Sequence, residues 1–389
     1  MLFVGCLFDR EKEKEYLEKS KSGLSNAVNT FQWNCLEGFF QNGMPATIVN
    51  VLPVGTFPKQ YKDLILKSET WKALDKTHQQ VGCINLPFIK QWQRSRAVKK
   101  ILKSSQDKKI IIYSAYLPFL RAIHKLNGEY DITLIVTDLP EFYDLGKTNW
   151  IKRILRKWNN NRVYKYMERV DRFVLLTEQM KEPLRVGNRP YTIVEGICNQ
   201  QALEFSETVS SAEKIILYTG TLHKQFGILN LLAAFSNIQD ADYRLWICGG
   251  GDAENEIKEA ARQDPRIQFY GYVEKSIAIE LQKKATVMVN PRQNVGEYTK
   301  YSFPSKTMEY LASGKPVVAY KLDGIPNDYD TYINYVKDNS IESLTQKLIE
   351  VCEDDGEIRE KALKAWEFVC TKKSARVQAK KILKLLEKK

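Results

Sequence analysis

Short apolar runs rich in β-branched residues alternate along this chain with longer segments whose apolar residues recur at helical spacing. Such alternation is typical of βα units that build a parallel sheet, whereas strands without intervening helices are typical of a β-sandwich. The first series contains the predicted strands Leu2–Leu7, Ala46–Leu52, Ile110–Tyr113, Ile132–Val136, Phe173–Thr177 and Thr192–Val194. The helix predicted between the first two strands carries apolar residues at Val28, Phe31, Cys35, Leu36 and Phe39 and ends at Asn42-Gly43.

The same pattern starts again after a polar stretch, Glu204–Glu213. The strands predicted in this second series are Lys214–Tyr218, Tyr243–Cys248, Ile267–Tyr270, Thr286–Val289 and Pro316–Ala319. A chain of 389 residues also exceeds the size at which a single core keeps growing. We therefore predict an α/β protein with two Rossmann-like, doubly wound domains, residues 1–205 and 206–360, and a terminal helical segment, 361–389, that rejoins the first domain.

Charge and topology together predict where a ligand binds and what kind it is. Ligands of open α/β sheets bind outside the carboxyl ends of the strands, so two such domains facing each other predict a binding cleft. The 59 Lys and Arg residues exceed the 47 Asp and Glu residues, which gives a formal net charge of +12. A positive chain attracts anionic partners, so nucleic acid, an acidic membrane surface and phosphorylated small molecules all fit.

Several classes of protein are excluded by simple counts. The 7 cysteines are widely spaced and form no CxxC pair, so neither a disulfide framework nor a zinc site is predicted. None of the 3 histidines has a second His or Cys at ligand spacing. No apolar run could span a bilayer, and the first residues lack the features of a signal peptide. We expect a globular protein of the reducing cytosol.

One loop, helix and strand in the second half form a candidate anion site. Pro304 suits the first helical turn and Ser302 is a candidate cap, so the helix is predicted to begin at Pro304. The free N–H groups and positive dipole end of such a helix bind anions, and Lys306 adds a full charge. Gly314 is predicted to end the helix.

Glu309 follows Lys306 by three residues, so both side chains lie on one face of this helix. A carboxylate beside a phosphate site is suited to accept hydrogen bonds from ribose hydroxyls. An ordinary surface ion pair on a capped helix is the alternative interpretation, and the residues alone favour neither.

The string SFPSKTMEYLASGKPVVA, which contains these residues, resembles the donor-binding signature of glycosyltransferase family 4, also called group 1. That resemblance implies the GT-B fold and a nucleotide-sugar donor of the UDP kind. In this family a glutamate equivalent to Glu309 binds the ribose, and the helix start before it holds the diphosphate. Many members carry a second glutamate eight residues earlier, where this chain has Tyr301, and Glu297 lies nearby but out of register.

Further segments are similar to ordered motifs of the same family. They are Tyr218–Ile228 (YTGTLHKQFGI), Trp246–Asp252 (WICGGGD), Phe269–Val273 (FYGYV) and Val289–Arg292 (VNPR). Thr221 and Phe226 replace the usual Arg and Lys of the first motif, so Lys224, Arg292 and Lys306 would supply the positive charge. The donor-binding residues implied are Gly220, Thr221, Lys224, Tyr272, Val273, Arg292, Ser302, Phe303, Pro304, Ser305, Lys306 and Glu309, and Asp138, Lys306 and Glu309 would be catalytic.

The first half supplies weaker candidates for acceptor binding. Gly23 and Asn26 lie in a polar loop before the first long helix, like the family's flexible loop, but they also fit an ordinary βα connection. Asp138 lies just after a predicted strand, where many members have His-Asp, and Thr137 replaces the His. Its carboxylate either orients and deprotonates the acceptor hydroxyl or caps the next segment.

Two basic amphipathic segments, 88–103 and 147–169, place tryptophans beside cations. The first combines Trp92, Val98 and Ile101 with Lys90, Arg94, Arg96, Lys99, Lys100 and Lys103. The second combines Trp150, Ile151, Ile154, Leu155 and Trp158 with Lys152, Arg153, Arg156, Lys157, Arg162 and Lys165. Either these helices contact an anionic membrane surface, or their apolar stripes pack on the sheet while the cations stay in water.

The resemblance implies a retaining glycosyltransferase that needs neither a metal nor a cofactor and acts on a glycan or lipid-linked glycan in surface polysaccharide synthesis, such as capsule, exopolysaccharide or O-antigen. A nonhydrolysing nucleotide-sugar epimerase would need several acid/base residues around the sugar. A nucleic-acid-binding protein is the third alternative, but no recognised module supports it. Asp328-Tyr329-Asp330 contains a DxD pair but lies late in the second half, so it is predicted to be a solvated turn.

Overall fold

The computed structural model describes residues 1–21, 23–142, 150–198, 213–354 and 356–388, with the side chains of 151 and 152 left out. It divides the chain into two compact units. Unit 1 comprises Met1–Ile197 and Ala375–Lys389, and unit 2 comprises Cys198–Ser374. The predicted domain boundary at 205/206, and residues 204–212 of the polar stretch that suggested it, lie outside the described residues.

The strands in chain order are β1 Leu2–Gly5, β2 Thr47–Val51, β3 Ile65–Leu66, β4 Glu69–Ala73, β5 Lys76–Val81, β6 Cys83–Ile84, β7 Lys109–Tyr113, β8 Asp131–Val136, β9 Arg172–Leu175, β10 Tyr191–Ile193, β11 Lys214–Thr219, β12 Tyr243–Cys248, β13 Ile267–Gly271, β14 Val287–Asn290, β15 Val317–Ala319 and β16 Asn334–Tyr335. The helices are α1 Glu13–Lys19, α2 Asn26–Gln41, α3 Ile89–Ser104, α4 Leu117–His124, α5 Trp150–Met167, α6 Ile228–Ser236, α7 Glu254–Gln263, α8 Lys275–Lys284, α9 Ser305–Ala312, α10 Ile341–Glu353, α11 Glu357–Lys372 and α12 Ala375–Glu387.

Unit 1 is built on a sheet with the strand order β10-β9-β8-β7-β1-β2-β5-β4. Every neighbouring pair is parallel except β4 and β5, which form an antiparallel hairpin at one edge. The sequence did not predict this hairpin, because its strands are mostly polar and solvent-exposed and its turn, Leu74-Asp75, reaches positive φ without a glycine. Edge strands need no continuous apolar run, so they escape a search for buried strands.

The C-terminal helix α12 completes unit 1 by packing on α2. Gly38 of α2 makes the approach close, since a Cβ there would lie 2.2 Å from the Ala375 carbonyl oxygen. The returning segment begins at Ala375, so the predicted start at 361 was wrong. Helix α11 belongs to unit 2 instead, where buried Ala365 and Val369 join the core and Phe368 stacks on Tyr332 with ring centroids 4.6 Å apart.

Unit 2 contains a fully parallel sheet with the order β13-β12-β11-β14-β15-β16. The two central strands are buried throughout except for the first residue of β11, as expected for a sheet covered on both faces. The predicted α/β architecture of parallel sheets is confirmed. Asp328 pairs with Lys373 at 3.0 Å and Asp330 with Lys321, so the DxD segment forms structural ion pairs.

Candidate donor site

The candidate site of unit 2 lies where β11, β12, β13 and β14 end. Gly249, which follows β12, has φ of +139°, and a Cβ there would lie 1.7 Å from the Gly220 carbonyl oxygen. Its N–H donates to the Gly271 carbonyl at 2.7 Å. Gly227 has φ of +79° and packs as closely on the loop after β14, with a Cβ 2.0 Å from the Pro291 carbonyl oxygen. These glycines let backbone loops of adjacent strands meet at one edge of the sheet.

This packing makes a testable prediction about stability. Gly249→Ala should destabilise unit 2 by about 3 kcal/mol or more, because the new methyl meets backbone rather than a movable side chain. Gly250→Ala is the matched control, since its Cβ would lie 3.3 Å from the end of the flexible Glu254 side chain. Thermal unfolding of both variants measures the difference, and equal melting temperatures would contradict the close approach.

Helix α9 is fixed over the strand ends by two buried contacts. The Tyr310 hydroxyl donates to the Thr219 carbonyl at 2.7 Å and accepts from the Thr219 N–H at 2.9 Å, which ties the helix to the end of β11. The Asn290 amide at the end of β14 donates to the Thr307 hydroxyl at 3.3 Å. The first N–H groups of α9 have no intrahelical partner, as in any α-helix, and the positive end of the helix dipole favours an anion.

The predicted start of this helix was wrong by one residue, and so was its cap. Helix α9 begins at Ser305, with Pro304 in the cap position, because Ser302 is used elsewhere. The Ser302 hydroxyl accepts from Arg292 at 3.1 Å and donates to the Tyr298 carbonyl at 3.1 Å. The predicted helix end at Gly314 is confirmed by its φ of +72° directly after the cap residue Ser313.

Lys306 and Glu309 meet on one face of α9, as their spacing predicts. The Lys306 ammonium donates to both carboxylate oxygens of Glu309, at 2.9 and 3.2 Å, and the Gln282 amide of α8 donates to the same carboxylate at 2.7 Å. Protein atoms surround this carboxylate, yet 41% of the Glu309 side chain is still reached by solvent. The pair is therefore held in place but accessible to a ligand.

The protonation of Glu309 follows from these neighbours. Burial raises the pKa of its carboxyl group, but the charge and hydrogen bond of Lys306, the hydrogen bond of Gln282 and the charge of Lys275 outweigh it. The net pKa is lower than that of an ordinary glutamate. Glu309 is therefore an anion and a hydrogen-bond acceptor at neutral pH.

A second cation, Arg292, lies close to the same strand ends. Its guanidinium is held between the rings of Phe226 and Tyr298, with centroid distances of 5.2 and 4.7 Å, and its buried Nε has no hydrogen-bond partner in the described part of the chain. Burial raises the pKa of the Tyr218 hydroxyl, while the charges of Lys306 and Arg292 both lower it. The charges of Lys306 and Arg292 are therefore both felt by the Tyr218 hydroxyl, near the end of β11.

The other predicted donor residues occupy varied positions. Thr221 is exposed and its carbonyl accepts from the Tyr218 hydroxyl at 2.8 Å, while Tyr272 and Val273 follow β13, with Tyr272 exposed. Phe303 is a core residue whose ring lies 5.2 Å from that of Tyr329. Lys224 is exposed and forms an ion pair with Glu256 of α7. Gln282 and Tyr310 were not predicted, because their roles depend on contacts with residues distant in sequence.

The predicted acceptor residues lie in unit 1. Asp138 follows β8 and lies close enough to the buried Tyr113 hydroxyl for its charge to raise that pKa, although burial is the larger cause. Gly23 is exposed with φ of +75°, and Asn26 is the first residue of α2, where its amide donates to Glu13 at 3.1 Å. Among the residues described in both units, no group of three His, Cys, Asp or Glu side chains could hold a metal ion.

Unit 2 matches a known protein family, and the whole chain resembles several solved structures. Residues 213–354 match the model of the family described as "Glycosyl transferases group 1". Among solved structures, sucrose-phosphate synthase from Thermosynechococcus elongatus is 14% identical with a TM-score of 0.71, covering 100% of this chain and 98% of that one. Trehalose-phosphate synthase from Burkholderia xenovorans is 10% identical with a TM-score of 0.70, covering 100% and 99%.

A TarM variant of S. aureus in complex with UDP is 12% identical with a TM-score of 0.65, and the alignment covers 100% of both chains. A search of curated proteins found no match. The structural similarity extends over both units and confirms the fold class that the sequence predicts, GT-B with two Rossmann-like domains.

Proposed function

We propose that this chain, whose residues 213–354 match the group 1 glycosyltransferase model and whose fold is GT-B, transfers a sugar from a nucleoside-diphosphate sugar, with retention of configuration, to a hydroxyl of a lipid-linked glycan. The observation that carries the proposal is the contact of Lys306 with Glu309 in the first turns of α9. The helix start and Lys306 bind the diphosphate, and Glu309 accepts hydrogen bonds from the ribose.

The chemistry follows from the charge that develops on the donor. The bond between the anomeric carbon and the diphosphate oxygen breaks, and its electron pair stays on the phosphate. The positive helix end and Lys306 stabilise that charge in place. The acceptor oxygen forms the new bond on the same face of the sugar and gives its proton to the leaving phosphate, so neither a metal nor a cofactor is needed. Asp138 orients the acceptor hydroxyl.

This function is tested by incubating the purified protein with a panel of nucleotide sugars, UDP-sugars first, and a membrane extract. Release of nucleoside diphosphate should depend on the extract, and the glycosidic bond of the product should keep the anomeric configuration of the donor. A converted sugar nucleotide without an acceptor would instead identify an epimerase. Inversion would leave the transferase intact but contradict the proposed retention.

A lipid-linked acceptor requires the enzyme to work at a membrane surface, and α5 offers a suitable face. Its Trp150, Ile154 and Trp158 recur every four residues and are 70%, 59% and 57% exposed, and Leu155 beside them is 45% exposed. Cations flank them, and the Arg162 guanidinium lies 4.5 Å from the Trp158 ring centroid. Exposed aromatic and aliphatic residues beside cations fit an anionic lipid surface. Residues 147–149 of the predicted segment, and the side chains of 151 and 152, lie outside the described residues.

The other predicted membrane segment, α3, buries one face and exposes the rest. Val98 and Leu102 of α3 are fully buried, and the cations Lys90 and Arg94 are nearly so, while Trp92 is half-exposed beneath the Arg96 guanidinium. The alternative interpretation, in which the apolar stripe packs on the sheet and the cations stay in solvent, therefore describes α3 better than membrane contact. Lys90 and Arg94 depart from it because they are buried. No helix of the described residues is both long and apolar enough to cross a membrane.

We expect the Trp150→Ser, Trp158→Ser double variant to bind phosphatidylglycerol vesicles at least about 10-fold more weakly than the wild type, because two aromatic anchors are lost. Trp92→Ser is the matched control on α3 and should bind like the wild type. Vesicle co-sedimentation measures all three, with neutral phosphatidylcholine vesicles as a second reference. Equal binding of the double variant, or no binding of the wild type, would contradict the assignment to α5.

A further inference from the structure

A pocket in unit 1 lies where β1, β2 and β7 end. Its empty volume is about 780 Å³ including the open mouth. Cys6, Val51 and Ser114 line it from the strand ends, and Lys90, Gln91 and Arg94 line it from α3. The carboxyl edge of a parallel sheet is where α/β proteins bind ligands, so this position suits a ligand site.

Two cations are buried in the wall of this pocket. Lys90 is 6% exposed and Arg94 is 3% exposed. The Lys90 ammonium donates to the carbonyls of Val54 and Gly55, and Arg94 donates to the Leu52 carbonyl at 2.6 Å and to the Tyr116 hydroxyl at 3.2 Å. Among the described residues no carboxylate forms an ion pair with either cation.

Carbonyl dipoles alone do not neutralise two adjacent buried charges. Among the described residues the buried Arg94 Nε has no hydrogen-bond partner, and one of the three Lys90 protons is not used by the two carbonyls. Burial and the neighbouring Arg94 charge lower the pKa of Lys90 to about 7. Buried charges are normally paired, so this arrangement lacks an anion.

Backbone strain at the same place also indicates a function. Phe88 and Ser114, which both line the pocket, have φ of +64° and +69°. Non-glycine residues rarely adopt this conformation, least of all bulky ones, and such strain concentrates at binding sites. Phe88 is also 76% exposed, an unusual position for a large apolar ring.

We propose that the pocket lined by Lys90 and Arg94 binds a phosphate group of the acceptor. This inference rests on the proposed function and deepens it, because it assigns the acceptor to the phosphorylated glycans. A phosphate would supply the missing anion, accept from Arg94 and Lys90, and be held with its glycan at the mouth of the pocket. A soluble sugar phosphate and the phosphate of a lipid carrier share this chemistry.

Calorimetric titration with inorganic phosphate tests the pocket directly. The full chain carries Lys306→Ala in every sample, so that the donor site does not contribute. Adding Lys90→Gln or Arg94→Gln should weaken phosphate binding about 10-fold or more, since each removes a charge-assisted contact. Lys109→Gln is the matched control, because Lys109 is an exposed lysine at the start of β7, on the opposite edge of the sheet.

Gln91→Glu keeps the test decisive if the buried cations are needed for folding. Gln91 is exposed and lines the pocket, so the isosteric change adds a carboxylate without removing a buried contact. It should weaken phosphate binding about fivefold by repulsion and by competing for the cations. Unchanged phosphate affinity in folded Lys90→Gln, Arg94→Gln and Gln91→Glu would overturn the proposal.

Two further experiments are needed. The first distinguishes a soluble sugar phosphate from a lipid phosphate, and the second distinguishes failure of the pocket proposal from failure of the proposed function. Glucose 1-phosphate and a short-chain phosphatidylglycerol below its micelle concentration are titrated in the same way, and the tighter ligand identifies the source. With Lys306 intact, Gln91→Glu should raise the KM for acceptor and leave the KM for donor unchanged. If phosphate binding depends on Lys90 but the wild type releases no nucleoside diphosphate, the transferase assignment is wrong and the phosphate pocket is retained. If the wild type releases nucleoside diphosphate and Gln91→Glu has no effect, only the phosphate pocket is wrong.

Discussion

Lys306→Ala is expected to lower kcat/KM for the nucleotide sugar about 1000-fold, with most of the loss in kcat. In the proposed mechanism the lysine and the start of α9 stabilise the charge that appears on the leaving diphosphate, and removing one donor of this kind typically costs a factor of about 10² to 10³. The loss falls on kcat because this charge develops only as the bond to the sugar breaks.

The fold should survive this change. The Lys306–Glu309 pair is 36% and 41% exposed, and an ion pair this accessible contributes about 0–1 kcal/mol to stability. Thermal unfolding should therefore give nearly the wild-type melting temperature. Lys284→Ala, which removes an exposed lysine at the end of α8, is the matched control for charge and should retain wild-type turnover. Normal turnover in Lys306→Ala would remove the lysine from the site.

The sequence predicts this pair well because its geometry is local. Residues three apart on a helix share a face whatever the rest of the fold does, and the glycine that ends α9 is equally a local signal. The longer strands were predicted for a similar reason, since buried parallel strands read as continuous apolar runs. The start of α9 was missed by one residue, because the Ser302 hydroxyl contacts Arg292 ten residues away.

What the sequence does not predict depends on contacts between distant segments. Gln282 reaches Glu309 from another helix, and no spacing connects the two. The sequence predicts that Lys90 and Arg94 are exposed to solvent. Helical spacing shows which residues share a face, but it does not show that the charged residues of α3 are the ones that face the sheet. The hairpin of β4 and β5 is polar and lies at an edge, so it shows no apolar run.

Glu309→Gln should separate ribose recognition from phosphate recognition. The variant keeps the shape of the side chain but exchanges one acceptor oxygen for a donor and removes the charge, so affinity for a nucleoside such as uridine should fall about 30-fold. Inorganic pyrophosphate should bind as tightly as to the wild type or slightly better, since a negative charge beside Lys306 is lost. Lys306→Ala should show the opposite pattern, with pyrophosphate binding lost and nucleoside binding kept near neutral pH.

The dependence of nucleoside binding on pH gives a second, independent readout of the pair. Lys306 helps hold the pKa of Glu309 below its ordinary value, so in the wild type this carboxylate, the proposed acceptor for the ribose hydroxyls, stays ionised as the pH falls through the usual glutamate range. In Lys306→Ala that pKa rises, because burial continues to favour the neutral acid while the main opposing charge is gone. Uridine affinity should therefore decline at a higher pH in this variant than in the wild type, and Glu309→Gln should show no decline over the same range. Titrations at pH values from 4 to 7 measure all three proteins, and identical profiles would mean that Glu309 does not contact the nucleoside.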